Sequence, residues 1–309
     1  MSFTDWVPTI SPSSPPPAET LAWVAAALGT DVESCEPLVG GLSSAVHRLH
    51  LVGRSERVVL RRYTLADWLE REPYIPNDEA RTLRLLDSLD LGVSTPGLVA
   101  ADVDASHCDV PAVIMTEVMG QPFIDPREPL VWAEKLADCL AGIHAHPAID
   151  GLADYRRWDQ SRRPLPTWTQ DAESWRKARR LVDGELPRHP QRFLHRDFHP
   201  NNVHWSDGEI CAVVDWLGAC NGPIAADLAH CRWNLAILAD PAVADHFTDH
   251  YRRETDYSED VTAYDLATVL SGPVGPFPTH AWNALGRADL TSDSVAPKID
   301  GWLRHVLAA

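Results

Sequence analysis

A predicted β-hairpin brings together three side chains that could bind a metal ion or accept a proton, namely Asp197, Asn202 and Asp215. Asp207 and Gly208 lie between two runs of alternating apolar residues, and Asp-Gly is a strong signal for a two-residue hairpin turn. The register that follows pairs Trp205 with Ile210, Val203 with Ala212, and Asn202 with Val213. In that register Asn202 and Asp215 become diagonal neighbours on one face, with Cβ atoms roughly 7–8 Å apart. Asp197 precedes the hairpin on a loop stiffened by proline, so we expect it to face the same space.

The donor types at these positions point to one kind of chemistry. An amide and carboxylates without a thiolate suit an oxygen-preferring ion such as Mg²⁺, which keeps several waters and shares its coordination with substrate phosphates. One carboxylate then remains to orient an attacking hydroxyl and accept its proton. Positioned oxygens, a metal ion and a proton acceptor are what phosphoryl transfer requires.

The same stretch carries a family resemblance. His195-Arg196-Asp197, with Asn202 five positions after the aspartate and Asp215 at a strand end, resembles the catalytic and metal-binding core of the protein-kinase-like fold. Three details are more similar to the aminoglycoside phosphotransferase and choline kinase branch: His199-Pro200 inside the loop, Asp215-Trp216, and Gly222-Pro223 followed by Asp227-Leu228-Ala229. The resemblance implies that Asp197 orients and deprotonates the acceptor hydroxyl, and that Asn202 and Asp215 hold Mg²⁺.

Two neighbouring residues receive structural interpretations. Within the kinase-like interpretation, His195 is a hydrogen-bonding residue of the loop rather than a base. Asp227 is either a carboxylate at a helix N-terminus, satisfying backbone N–H groups there, or a buried brace for the catalytic loop. The resemblance favours the brace, and neither interpretation gives Asp227 a chemical step.

The elements that must position these residues follow from the resemblance and from local patterns. The resemblance implies an α+β, two-lobed protein-kinase-like fold, with a small N-terminal antiparallel sheet lobe and a larger, mostly helical C-terminal lobe. We expect a Pro/Ser-rich arm over residues 1–17, a nucleotide-binding lobe over 18–118, and a catalytic and substrate-binding lobe over 119–309. Helical spacing predicts a helix over Ala18–Leu28 ended by Gly29, and another beginning at the capping residue Asn77.

A glycine- and serine-rich segment lies between the first two predicted strands. Paired glycines let a backbone approach phosphate closely, and serines add hydroxyl donors. The pattern alone is also that of an ordinary hairpin turn, but it is similar to the nucleotide-covering loop of the family. The resemblance therefore makes four residues candidate phosphate contacts: Gly40, Gly41, Ser43 and Ser44.

A basic strand follows, and here the chain departs from the family pattern. The family usually has a Lys that holds phosphates and pairs with a Glu on the next helix, whereas the positional match in this chain is Arg61. An arginine could bind phosphates bidentately, with Glu79 as its implied partner. Arg62 remains a second candidate, and a solvated strand-end pair is the alternative. Glu117 and Val118, after the strand that leads to the hinge, are implied to offer backbone groups to the adenine edge.

Composition limits the partners. The 309-residue chain has a net charge of −17, from 44 acidic and 27 basic residues, which argues against nucleic acid and anionic membranes. This charge would suit a cationic small substrate, with an acidic solvated surface as the alternative explanation. Neither a signal-peptide pattern nor a run long enough to span a membrane is evident. The six cysteines contain no Cys-x-x-Cys pair and are interpreted as reduced thiols, so we expect a cytoplasmic protein.

The resulting hypothesis is an ATP-dependent enzyme, with GTP as an alternative donor, that moves the γ-phosphoryl group to a hydroxyl of a small molecule. An aminoglycoside-type antibiotic is the leading acceptor, and choline-like alcohols, macrolides, amino acids and sugars are alternatives. Five acidic residues could bind amino groups of such an acceptor or form a solvated face, and an aromatic residue could stack on it: Asp240, Asp245, Asp249, Glu254, Asp256 and Trp233.

Two other classes are considered. A catalytically weak nucleotide-binding protein on the same fold is favoured if Arg61 cannot replace the usual Lys. A non-haem iron oxygenase would use His195, Asp197 and a distant His as a 2-His-1-carboxylate triad, an interpretation that leaves Asn202 and Asp215 unused.

Overall fold

The computed structural model describes residues 11, 13–38, 44–157 and 163–309. Within this part the chain forms two compact units. The sheet unit contains the described residues up to Asp90 together with Ser94–Met119, and the helical unit contains Leu91–Val93 and Gly120–Ala309. Most of the predicted arm over residues 1–17 lies outside the described residues, and so do Gly40, Gly41 and Ser43.

The sheet unit is built on five antiparallel strands in the order β1-β2-β3-β5-β4. The strands are β1 Val32–Pro37, β2 Ser44–Leu51, β3 Arg57–Tyr63, β4 Leu98–Asp102 and β5 Ala112–Thr116. Three helices accompany them: α1 Ala18–Leu28, α2 Ala66–Arg71 and α3 Ile75–Leu86. The prediction for α1 is confirmed, since Gly29 ends it in a left-handed conformation and donates to the Ala25 carbonyl.

Alternating side chains on the central strands make the core of this unit. Leu49 and Leu51 on β2 and Leu60 on β3 point to one face of the sheet, where they pack with Val24 of α1 and Ile114 of β5. All five are buried. The period-2 pattern therefore fixes which face of the sheet α1 covers.

The second predicted helix begins earlier than expected. α3 starts at Ile75, with Pro76 in its first turn, and its N-cap residue Tyr74 makes no side-chain capping bond. A proline in the first turn replaces the polar cap as the starting signal, because its fixed φ suits a helix and its missing N–H needs no partner there. Asn77 therefore lies inside the helix.

The helical unit has seven helices in its described part: α4 Pro129–His144, α5 Ala172–Leu181, α6 Ile224–Leu238, α7 Pro241–Glu254, α8 Thr262–Ser271, α9 His280–Ala284 and α10 Ser292–Ala308. It also has two small sheets, formed by β6 Gln121–Pro122, β7 Gln191–Leu194, β8 Val203–Ser206, β9 Glu209–Val213 and β10 Cys220–Pro223. α6 packs against α7, α8 and α10 and is buried along its whole length except at His230. A helix buried on all sides is the centre of its unit.

The predicted hairpin is present, but its register is wrong beyond the first pair. Trp205 lies opposite Ile210 as expected, whereas Val203 lies opposite Val213 instead of Ala212. Cys211 is the extra residue of a β-bulge. The prediction assumed an unbroken ladder, and the turn sequence that sets the first pair carries no information about a bulge further along.

Two sequence-based expectations concern the whole chain. All six cysteines are free thiols, as predicted. Among the described helices, none is long and apolar enough to cross a membrane.

Replacing Leu60 by Ala should lower the free energy of unfolding by about 2–5 kcal/mol, because it empties a fully buried site in the sheet unit. Val52→Ala is the control, since Val52 is exposed in the same unit and its loss should change stability by less than about 0.5 kcal/mol. Urea unfolding followed by circular dichroism measures both. Equal effects of the two substitutions would contradict the placement of Leu60 in the core.

Candidate functional site

A buried carboxylate holds the loop that carries His195, Arg196 and Asp197. Asp227 lies in the first turn of α6 and is fully buried. Its Oδ2 accepts the N–H of His195 at 2.9 Å, and its Oδ1 accepts the N–H of Arg196 at 2.8 Å. Arg196 has a left-handed backbone with φ 75°, which a non-glycine residue keeps only where its surroundings fix it. The interpretation of Asp227 as a brace for this loop is confirmed.

The brace is itself supported from α4 and α7. Burial raises the pKa of Asp227, but the contact with His144 and the nearby Arg196 guanidinium lower it more, so the pKa lies below its ordinary value. His144 Nε2 lies 3.2 Å from Asp227 Oδ2, and His144 Nδ1 lies 2.8 Å from the hydroxyl of Tyr251. Because an ionised carboxylate only accepts, Nε2 donates to Asp227, while Nδ1 shares a hydrogen bond with the Tyr251 hydroxyl.

His195 ties the loop to the hairpin. Its buried Nε2 donates to the carbonyl of Val214 at 2.9 Å, and its Nδ1 accepts the N–H of Asp197 at 3.2 Å. Burial lowers the pKa of His195, which favours the neutral ring that this pattern requires. The structural role predicted for His195 is confirmed. Since both ring nitrogens are engaged, His195 cannot be the iron ligand that the oxygenase interpretation needs.

Asn202 and Asp197 are directly bonded. The Asn202 amide nitrogen donates to the Asp197 carbonyl oxygen at 3.0 Å and to Asp197 Oδ2 at 3.1 Å. Both partners are oxygens that accept, so the nitrogen of the amide must face Asp197. The amide oxygen of Asn202 then points away from this contact and is left for another ligand.

Two imidazoles flank the Asp197 carboxylate. His230 Nε2 lies 3.0 Å from Asp197 Oδ1, and His199 Nε2 lies 3.8 Å from Asp197 Oδ2. Partial burial raises the pKa of Asp197, but the charges and hydrogen bonds of His199 and His230 lower it more, so the pKa lies well below its ordinary range. With 43% of its side chain exposed, Asp197 is an ionised carboxylate that an incoming hydroxyl can reach.

Asp215 occupies a constrained position at the end of β9. Its backbone is left-handed, with φ 67°. The preceding N–H, from Val214, donates to the carbonyl of Asn202 at 2.9 Å, and the following indole, from Trp216, donates to the carbonyl of Val213 at 2.9 Å. Asp215 therefore directly follows Val214, the residue whose N–H binds the backbone of Asn202. The bulged hairpin therefore brings the two predicted metal ligands into neighbouring positions by a different register from the one predicted.

In the sheet unit, Arg61 and Glu79 form the expected ion pair. Arg61 Nε lies 3.5 Å from Glu79 Oε1, and Glu79 is 1% exposed. Glu79 also accepts a hydrogen bond from the hydroxyl of Tyr63, which lies two residues after Arg61 on the same face of β3. Glu79 thus faces inward from α3 and restrains the side chain of Arg61.

Arg62 is committed elsewhere and is not a second phosphate candidate. Its side chain is 1% exposed and points to the opposite face of β3 from Arg61. There it donates to Asp109 Oδ2 at 2.8 Å and to the carbonyl of Ser14 at 2.7 Å. Asp109 also accepts from Thr20 on α1. Arg62 therefore joins the start of the chain to the sheet.

The remaining nucleotide candidates are placed as follows. Ser44 is the first residue of β2, and its buried Oγ has no hydrogen-bond partner among the described residues. Glu117 follows β5 and binds Arg48 and Arg57, each at 2.6 Å. The side chain of Glu117 is therefore engaged in ion pairs, and the predicted contact with the adenine base would use backbone groups of Glu117 and Val118. Gly40, Gly41 and Ser43 fall outside the described residues.

Two of the residues predicted to contact the substrate have structural roles instead. Asp240 caps α7 by accepting the N–H groups of Ala242 and Val243. Asp245 binds Arg232 at 3.0 Å and His305 at 2.7 Å. Both carboxylates are satisfied within the helical unit, which weakens the expectation that they bind amino groups of a substrate.

Sequence reasoning missed the two histidines beside Asp197. His230 lies three residues after Asp227 on α6, and residues three apart share a helix face. Once Asp227 is interpreted as the brace of the loop, this spacing would have placed His230 near Asp197. His199 was noted only as part of the family motif.

Solved structures share the fold at low sequence identity. Macrolide 2'-phosphotransferase MphH from Brachybacterium faecium is 20% identical, with 91% of this chain and 98% of that chain covered and a TM-score of 0.57. A putative aminoglycoside phosphotransferase from Ralstonia eutropha is 18% identical, with 94% and 98% covered and a TM-score of 0.55. A thermostable mutant of aminoglycoside phosphotransferase APH(4)-Ia, in a ternary complex with AMP-PNP and hygromycin B, is 17% identical, with 93% and 98% covered and a TM-score of 0.62.

A comparison by sequence gives the family. No curated protein matches the chain significantly. The model of the phosphotransferase enzyme family matches residues 34–261, which is well over half of the chain. The α+β fold of protein-kinase-like type and the enzyme class predicted from the sequence are thereby confirmed, and this protein belongs to the phosphotransferase enzyme family.

Proposed function

We propose that this protein transfers the γ-phosphoryl group of ATP to a hydroxyl of a small molecule, with Asp197 as the residue that orients and deprotonates that hydroxyl. The observation that carries the proposal is the hydrogen-bonded pair of Asp197 and Asn202, at 3.1 Å, on a loop braced by buried Asp227. An ionised, partly exposed carboxylate in a fixed position is suited to accept a proton from an alcohol.

The residues proposed to hold Mg²⁺ fit that ion. The free amide oxygen of Asn202 and the carboxylate of Asp215 are hard oxygen donors in neighbouring positions, and neither brings a sulfur ligand. When bound, the ion would neutralise charge on the phosphates. The hydrogen bonds of the Asn202 amide and of the Val214 N–H hold the Asn202 side chain and the backbone next to Asp215 before any ligand arrives.

The sheet unit would bind the nucleotide. Arg61, held by Glu79, is proposed to bind phosphate oxygens through its planar guanidinium. The segment with Gly40, Gly41, Ser43 and Ser44 is proposed to cover the phosphates, and the backbone of Glu117 and Val118 to pair with the base. Backbone pairing is compatible with either ATP or GTP, so both donors belong in the assay.

An antibiotic is the first acceptor to test. The structural neighbours include macrolide and aminoglycoside phosphotransferases, and one is in complex with hygromycin B. A net charge of −17 is compatible with a polycationic aminoglycoside. Choline-like alcohols, amino acids and sugars are the alternative acceptors, and a cytoplasmic location remains a prediction from the sequence.

Asp197→Asn should lower kcat by about 10²–10⁴-fold, because the amide cannot accept the hydroxyl proton. Nucleotide affinity should change little. The assay follows transfer from ATP labelled at the γ-phosphate to a panel of aminoglycosides, macrolides and small alcohols, with GTP in parallel. Asp138→Asn is a matched control, since Asp138 also binds a histidine, at 2.7 Å, but lies on α4 and belongs to neither the catalytic loop nor the hairpin. Undiminished turnover in Asp197→Asn would overturn the role given to Asp197.

Asp215→Ala should abolish the magnesium-dependent rise in melting temperature that ATP produces. Binding to the folded state stabilises by mass action, about 2.7 kcal/mol when ligand is present at a hundred times its Kd. The measurement is a thermal-shift titration with ATP, with and without Mg²⁺. Asp249→Ala, at an exposed position on α7, should retain the whole shift. A full shift in Asp215→Ala would show that the metal ligands have been misassigned.

Arg61→Ala should weaken ATP binding by more than about tenfold, since a charge-assisted hydrogen bond contributes about 1.5–3 kcal/mol. Arg61→Lys should bind more tightly than Arg61→Ala, because it keeps the positive charge near Glu79 and the phosphates. Calorimetric titration of both variants with ATP gives the ratio. Arg54→Ala, in a turn of the same unit, serves as the control. Equal affinities for the wild type and Arg61→Ala would support the catalytically weak alternative or a different phosphate ligand.

A further inference from the structure

The surroundings of Asp197 contain a second set of ligand atoms that the phosphoryl-transfer chemistry does not require. Among the described residues, one group of His, Cys, Asp and Glu side chains brings three ligand atoms within 4.8 Å of one another, and it consists of Asp197, His199 and His230. The separations to Asp197 are 3.0 Å for His230 and 3.8 Å for His199. A metal bound at about 2.0–2.2 Å to each ligand holds ligand atoms at comparable separations.

The contacts of His199 Nε2 determine how its lone pair could reach a metal ion. The amide nitrogen of Asn202 lies 3.2 Å from His199 Nε2, and this nitrogen faces Asp197 because its other partners are oxygens. In the neutral ring His199 Nε2 therefore accepts this contact. The same atom lies 3.8 Å from Asp197 Oδ2, so an ion bound there would take the lone pair of Nε2 in place of the Asn202 amide.

His230 presents the same atom from a rigid element. It is the single residue of α6 that is not buried, and the rest of that helix is enclosed by the helical unit. Its ring packs edge-on against Trp233, with centroids 6.4 Å apart, and beside His199 at 5.4 Å. The proton that Nε2 directs at Asp197 would have to leave on metal binding, either to solvent or to Nδ1 by a change of tautomer.

The donor types select the ion. Two imidazole nitrogens and one carboxylate oxygen suit Zn²⁺ and related first-row ions, whereas Mg²⁺ prefers oxygen alone. Three protein ligands with an open position are also the usual composition of an accessible zinc site. All three residues are partly exposed, so a dissolved ion can reach them.

We propose that Asp197, His199 and His230 form a site for Zn²⁺ or a similar first-row divalent ion, and that its occupancy stops phosphoryl transfer. The ion would occupy carboxylate lone pairs of Asp197 that the acceptor hydroxyl needs. The inhibitory half of the inference rests on the proposed function, whereas the binding half rests on the geometry alone.

Binding is tested on the full chain without nucleotide. Titration with CoCl₂, followed by visible absorption, reports the ligand type and number, and calorimetric titration with ZnCl₂ gives the affinity. His230→Gln and His199→Gln should each weaken binding by more than about tenfold, because each removes one of three ligands. At position 230 the glutamine amide can still donate to Asp197, and at position 199 its oxygen can still accept from Asn202. Circular dichroism verifies that each variant folds.

His246→Gln is the matched control. His246 also directs Nε2 at a carboxylate, Glu134, at 2.8 Å, but it is outside the group of three. Its substitution should leave both titrations unchanged. Equal zinc affinity in the wild type, His199→Gln and His230→Gln would overturn the site, as would a sulfur-to-cobalt absorption band that identifies cysteine as the ligand.

The inhibitory half has its own readout. Zinc should lower wild-type transfer from ATP, a chelator should restore it, and His230→Gln should need more than about ten times as much zinc for the same inhibition. If the wild type transfers no phosphoryl group even without zinc, the proposed function fails while the cobalt titration still decides the site. If zinc binds through these residues and turnover is unaffected, the inhibitory half is wrong.

Discussion

The hydrogen bonds from two successive backbone N–H groups to the buried carboxylate of Asp227 are the interaction on which the site depends. Arg196 has a left-handed backbone, a conformation that costs a non-glycine residue about 1–3 kcal/mol. Each N–H bond to an ionised carboxylate contributes about 1.5–3 kcal/mol, so the two bonds offset that strain. The bonds of His195 to Val214 and of Asn202 to Asp197 then fix the direction of Asp197 on the loop that Asp227 holds.

The helix that carries the brace also carries a partner of Asp197. Asp227 and His230 lie one turn apart on α6, which is buried against α7, α8 and α10. Tyr155 also contacts the loop, because the Arg196 guanidinium lies 4.8 Å above its ring. Gly222 makes room for this tyrosine, since a Cβ added at Gly222 would lie 2.6 Å from Tyr155 Cβ. The packing of the helical unit thus sets the position of the carboxylate proposed as catalytic.

Sequence signals of one or two residues predicted the features that those residues determine by themselves. Helix α1 ends at Gly29 because a left-handed cap is a property of one residue, and the Asp207-Gly208 turn fixes the first hairpin pair for the same reason. The predicted hairpin and the proline-stiffened loop before it grouped Asp197 with Asn202, and the structure shows that pair as a hydrogen bond.

The features that sequence reasoning missed are one local irregularity without a sequence signal and two contacts between distant segments. The bulge at Cys211 changes the hairpin register without any turn signal. Arg62 cannot serve a nucleotide because its partners, Asp109 and Ser14, come from other parts of the chain. His230 reaches Asp197 across more than thirty residues of sequence, and the spacing of Asp227 and His230 on α6 predicts that contact only once Asp227 is known to hold the loop.

The measurement that tests the brace most directly is hydrogen exchange of the peptide containing residues 193–199, compared between the wild type, Asp227→Asn and Asp300→Asn. Asp300 is also buried and accepts hydrogen bonds from Thr169, Gln170 and Trp175, so its substitution controls for general destabilisation. We predict slow exchange in the wild type and in Asp300→Asn, and fast exchange of this peptide in Asp227→Asn. Fast exchange in the wild type, or equal protection in all three proteins, would contradict the claim that Asp227 holds the loop.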